Sequence, residues 1–206
     1  IRNMGYSDLT GALQLADEGL QAARRTGDDR TLGMALNHLG SMLAMSGEAR
    51  KARTLLEEGV DRLRRSGDGF ETAMVLESLA HATLECGDGG LAAALWAESM
   101  RTSLVVGAMG NVAWCLNGFA RLAAASDPSR ALRLAAGAAA ITNGTWGFLL
   151  GPLEEPLVES WLVGARSSLD SGAAAACWRT GAAMPLDELV NYALSEPLLA
   201  PPACEG

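Results

Sequence analysis

The side chains best suited to chemistry in this 206-residue chain are two histidines and four cysteines. A metal centre or a nucleophilic site would have to draw on them. His81 and Cys86 stand five apart in one helical stretch, which turns them about 140° from each other and argues against a shared metal. His38 falls on a helix flank. Cys86, Cys115, Cys177 and Cys204 are far apart without CxxC spacing, so neither a zinc site nor a disulfide framework is indicated. They read as small buried hydrophobes in a reducing compartment. The chain contains no GxxxxGK phosphate loop, no GxSxG elbow and no HExxH. The sequon Asn143-Gly144-Thr145 reads as a turn. No acid, base, nucleophile or metal set converges, so the expectation is a noncatalytic protein with no metal and no cofactor.

Charge narrows the partners. Sixteen basic residues against 24 acidic ones leave a net charge of −8, and neither side of Gly107 is basic. A nucleic-acid surface needs a patch that neutralises phosphates. The nearest candidates, Arg24-Arg25, Arg50-Lys51-Arg53 and Arg62-Arg64-Arg65, lie among Glu57, Glu58 and Asp61, and read as solvated helix faces with local ion pairs. No apolar run reaches the roughly 18 residues of a membrane helix, and no signal peptide opens the chain. A cytoplasmic protein is expected. The start at Ile1, without a methionine and directly before a helical pattern, suggests a piece of a longer polypeptide.

The elements that would position a binding surface are marked by a ruler. Gly27, Gly47, Gly67, Gly87 and Gly107 stand 20 residues apart, and the first four are followed by Asp28, Glu48, Asp68 and Asp88. Glycine ends a helix in the left-handed conformation, and the acid caps the next helix. The repeated message is stop, turn, start. Equal helices joined by tight turns fold into hairpins, and stacked hairpins make an α-solenoid.

An offset of 40 aligns more than glycines. Residues 35–40, 75–80 and 115–120 superpose, as do Ala12, Ala52 and Ala92, and Leu20, Val60 and Met100. Within the helices apolar positions recur at three and four, as in Leu36, Leu39, Gly40 and Leu43. The spacing predicts a lone second helix at 8–26, then pairs at 28–46 and 48–66, 68–86 and 88–106, and 109–125 and 128–142. The ruler slips at Ser126-Asp127-Pro128, where Pro128 suits a first helical turn. From Asn143 turn chemistry predicts a loop of about ten residues. Helices near 154–170, 172–182 and 186–195 follow, with an irregular end at 198–202. The chain thus divides into repeats over 1–143 and a capping segment over 144–206 within one domain.

These units resemble the tetratricopeptide repeat, whose skeleton is W-x2-L-G-x2-Y followed by A-x3-F. Leu36, Leu39, Gly40, Leu43, Ala52, Leu56 and Gly59 occupy those positions in the first full pair. Leu76, Leu79, Ala80, Thr83, Ala92, Trp96 and Ser99 do so in the second. Leu116, Phe119, Ala120, Ala123, Ala131, Ala135 and Ala138 do so in the third. The stretch 131–140 and the close, from Ala173-Ala174-Ala175-Ala176-Cys177-Trp178 to Leu189-Val190-Asn191-Tyr192-Ala193-Leu194, resemble the C-terminal sensor regions of large actinobacterial signalling ATPases and LuxR-type transcription regulators. The resemblance implies an all-α, right-handed superhelical solenoid of antiparallel helix pairs with a helical C-terminal cap.

The resemblance also assigns a concave groove to the first helices of the pairs. Its row would be Met34, Asn37 and Ser41, then Met74, Glu77 and His81, then Trp114, Asn117 and Arg121. Adaptable methionines, one large aromatic and hydrogen-bonding groups suit a peptide or a partner's helix, including another domain of the same polypeptide. The competing reading buries Met34, Met74 and Trp114 between repeats. Two rival functions stay open. One is a small-molecule receptor built on Trp146 with Trp161 or Trp178, and the other is an architectural module that spaces domains or forms a homodimer.

Overall fold

The computed structural model describes residues 6–145 and 155–195, and everything described is helix or tight turn. The protein is all-α. Ten helices run in order among the described residues: α1 Tyr6–Thr26, α2 Asp29–Met45, α3 Ala49–Ser66, α4 Gly69–Glu85, α5 Gly89–Val106, α6 Met109–Ala123, α7 Pro128–Thr145, α8 Glu155–Ser167, α9 Ser171–Ala182 and α10 Leu186–Leu194. The chain forms two compact units that divide between Val106 and Gly107.

The glycine ruler sets the turns. Gly27, Gly47, Gly67, Gly87 and Gly107 all take positive φ, between 71° and 90°. An L side chain there would meet its own backbone, so glycine is the residue that lets each helix stop within one step. Asp28, Asp68 and Asp88 then accept from the backbone N–H of Thr31, Glu71 and Leu91 at 2.8, 3.0 and 3.0 Å. Glu48 breaks the expected series. It makes no side-chain cap, its backbone lies outside the extended region, and its carboxylate pairs with Lys51 instead. The extra methylene makes glutamate a poorer cap than aspartate, whose short side chain suits the position.

In the first unit each helix packs on the next, and α2 also packs on α4. Turns of two or three residues force neighbouring helices to fold back on one another. Small residues carry the crossings. A Cβ added to Gly33 would lie 2.5 Å from Leu63 Cγ, and one added to Gly40 would lie 2.6 Å from Leu56 Cγ. Gly59 in turn lies under Leu36 and Val75. Leu56, Leu63, Val75 and Leu76 are fully buried around these contacts. Ion pairs tie the helix ends: Asp29 to Arg62 and Arg65, Arg30 to Asp68, and Arg64 to Glu98.

In the second unit α7 is the centre, packed by α6, α8, α9 and α10, while α6 also meets α8 and α10. Asp127 caps α7 through the Arg130 N–H at 2.9 Å, and Pro128 opens the helix, as the slipped ruler predicts. A Cβ on Gly181 would fall 2.1 Å from the Arg133 carbonyl oxygen, so α9 and α7 touch backbone to backbone. The buried Arg130 guanidinium donates to the Tyr192 and Ala193 carbonyls at 2.7 and 3.1 Å and lies 4.7 Å from the Tyr192 ring centre. It thereby closes the C-terminus of α10, where the helix dipole favours a cation.

One element differs from expectation. Asn143-Gly144-Thr145 is the last turn of α7 and not the start of a loop. A terminal helical turn tolerates the local turn preferences of Asn and Gly, because its carbonyls need no intrahelical partner. The expected loop at Gly147 and Gly151-Pro152, the segment 198–202 and Cys204 lie outside the described residues.

Candidate functional site

Met34, Asn37 and Ser41 recur at three and four along α2 and therefore share one face, as Met74, Glu77 and His81 do on α4. The two helices pack directly on each other. The join is polar. Ser41 Oγ donates to Ser78 Oγ at 3.0 Å, and Ser78 Oγ donates to the Met74 carbonyl at 3.3 Å. Asn37 Oδ1 lies 3.4 Å from Ser41 Oγ, and Asn37 itself is buried. Buried polar groups cost stability unless paired, so this ladder fixes the register of the two helices as well as lining their shared face.

Met34 and Met74 are each half-buried. Met34 packs against the cluster that holds Leu56, Val60, Leu63 and Val75, yet part of its surface remains open. The methionines are thus neither sealed between helices nor free in solvent. Flexible thioethers in that position can adjust to an apolar ligand without disturbing the core beneath.

Next along α4, His81 Nε2 stands 2.8 Å from Glu77 Oε1. The two side chains keep 29% and 12% of their exposure, so the pair sits at the boundary of the core. On its other flank His81 meets the Trp96 ring at 5.0 Å between centroids and 75° between planes. Edge-to-face contact of this kind is favourable because ring edges are positive and ring faces negative. Trp96, on α5, is fully buried. His38 lies exposed on α2 and takes no part.

Trp114, Asn117 and Arg121 share one face of α6, each half-buried, and belong to the second unit. Six of the nine expected residues thus lie on two helices that pack on each other, α2 and α4, and Ser78 and Trp96 make contacts there that were not expected. Ser78 aligns with His38 at the 40-residue offset and gave no sign of bridging two helices. Trp96 matched the large position of the repeat skeleton, but its contact with His81 depends on how α5 lies on α4.

The strongest electrostatic effects lie at helix ends, away from this row. Hydrogen bonds from Arg65 and then Arg62 hold the Asp29 carboxyl below its ordinary 3.8, at about 2. Asp68 is lowered by the Glu71 backbone N–H and then by Arg30, and Asp28 by the hydroxyl of Thr31 and its N–H. The expected tryptophan pocket is only partly described. Trp161 and Trp178 are half-buried, the Arg166 guanidinium lies 5.2 Å from the Trp178 ring centre, and Trp146 lies outside the described residues. Among the described residues no three His, Cys, Asp or Glu side chains gather as metal ligands, and no helix is long and apolar enough to cross a membrane. No known family model, curated protein or solved structure matches the chain.

Proposed function

We propose that this chain is a noncatalytic, tetratricopeptide-like solenoid that serves as the sensor or interaction segment of a larger bacterial transcription or signalling regulator. It binds a peptide or a helix of a partner along the row Met34, Asn37, Ser41, Met74, Glu77 and His81. The observation that carries this reading is the direct packing of α2 on α4, joined by Ser41 and Ser78, with half-buried methionines on the shared face. A row of first helices in contact is the geometry by which stacked helix pairs build an extended binding surface. Methionine supplies adaptable apolar contact, while Glu77 and His81 supply orientation through hydrogen bonds.

The test is selection from a displayed random-peptide library against the 206-residue protein. Binders are expected to lose affinity about tenfold or more when Met34→Glu and Met74→Glu are combined, since a buried apolar contact becomes a desolvated charge. Val163→Glu, at an exposed position of α8, leaves them unaffected. Failure to select any binder, or binders indifferent to the double substitution, sinks the groove.

A further inference from the structure

The helices α1, α3 and α5 occupy the same register at 40-residue offsets, yet one of them lacks a cover. Leu55 is half-buried against the cluster of Leu20, Leu32, Leu36 and Leu39, and Leu95 is half-buried against the cluster of Val75, Leu76 and Leu79. Leu15, at the matching place on α1, is 69% exposed. A Cβ on Gly59 would stand 3.1 Å from Val75 Cγ2 on α4, and 3.4 Å from Leu36 Cβ and 3.5 Å from the Gly33 carbonyl on α2. Around the matching Gly19 nothing lies within 4 Å. Ala52 and Ala92 are fully buried, while Ala12 is half-exposed. In α3 and α5 the helix that precedes each, α2 and α4, supplies part of that cover, and α1 has no preceding helix among the described residues.

Charge repeats the pattern. Arg65, in the last turn of α3, holds Asp29 in the first turn of α2 through two hydrogen bonds of 2.9 and 3.0 Å. Arg25 stands at the same register on α1, and no carboxylate pairs with it among the described residues. The chain therefore states once in full what the open face of α1 should receive, and where the charge of that ligand should sit.

We propose that the α1 face formed by Ala12, Leu15, Gly19 and Arg25 docks an amphipathic helix from outside these 206 residues, built like α2. Its first turn carries an acid that meets Arg25. A small residue follows four positions on, a leucine seven on and another small residue eleven on, as Asp29, Gly33, Leu36 and Gly40 are spaced. The leucine lies over Gly19, where glycine leaves room for close approach. This surface is separate from the α2–α4 row and does not depend on what that row binds.

The probe is a labelled synthetic peptide with the sequence of residues 28–46, titrated with the 206-residue protein and followed by anisotropy and circular dichroism. Saturable binding with a gain in helicity is expected, because an isolated helix of this length is marginal in water. Leu15→Glu weakens binding about tenfold or more. Arg25→Glu also weakens it, and a peptide carrying Asp29→Arg restores affinity for that variant alone. Both positions are exposed, so an unchanged thermal midpoint shows that the variants fold. Absence of saturable binding overturns the proposal. So does equal binding to the Leu15→Glu variant, which is the result if the peptide displaces α2 or lies in the groove. Sedimentation showing self-association that Leu15→Glu abolishes also overturns it, since a second copy would then own the face.

Discussion

Gly40 and Gly181 are both glycines at helix crossings, but what stands over them differs. Above Gly40 is the Leu56 side chain, which can shift, whereas above Gly181 is the Arg133 backbone, which cannot move without α7. Gly40→Ala is therefore expected to cost about 1–3 kcal/mol, the usual range for overpacking. Gly181→Ala is expected to cost more, and urea unfolding of the two variants gives the order. The role of Gly40 was legible in the sequence, because the offset alignment sets it at the small position of the repeat. The role of Gly181 was not, since it lies outside the ruler and its crowding comes from a helix some 48 residues earlier. His81 shows the same limit. Its spacing from Glu77 could be read directly, but its contact with Trp96 depends on side-chain packing between helices.

At the level of helices, the acids after the glycines divide by length of side chain. Asp68→Ala removes a bonded cap and is expected to cost about 1 kcal/mol, while Glu48→Ala removes none and should stay within about 0.5 kcal/mol. Thermal or urea midpoints separate them. The ion pairs at helix ends predict an acid dependence. The folded pKa of Asp29, about 2, is below the ordinary 3.8, so its contribution is present above about pH 4 and is lost as pH falls toward about 2. Asp28 and Asp68, both lowered, act in the same direction. Asp28 is exposed, and Asp29 and Asp68 keep part of their surface in solvent, so the effect is small and screened by salt. Asp29→Asn should flatten the thermal midpoint between pH 4 and 2, and added salt should do part of the same. Helix limits were legible to within about three residues because glycine, aspartate and proline act locally. The end of α7 was misread where turn-forming residues sit in a terminal helical turn.

Across the molecule, ten helices among the described residues follow the order that spacing predicts, but the spacing does not mark the division after Val106: Gly107 takes the same positive φ as the four glycines before it and differs in being followed by Ala108 where they are followed by an acid. The difference arises from α7, whose buried alanines and leucines gather the closing helices around a single centre. The ruler itself has a consequence for how such a chain can change length. A helix turns about 100° per residue, so an insertion of one or two residues inside any helix rotates its apolar stripe out of the core. Only a whole hairpin can be added or lost without disturbing the rest, which makes length a counted quantity with a step of 40. Excising residues 48–87 joins Gly47 to Asp88 and leaves a first helix followed by a second. Excising 48–67 keeps the glycine spacing but sets two first helices in succession. Cooperative urea unfolding is expected of the former and not of the latter. Growth and shortening of this protein would then proceed by duplication and deletion in register, as in a written text edited only by whole lines.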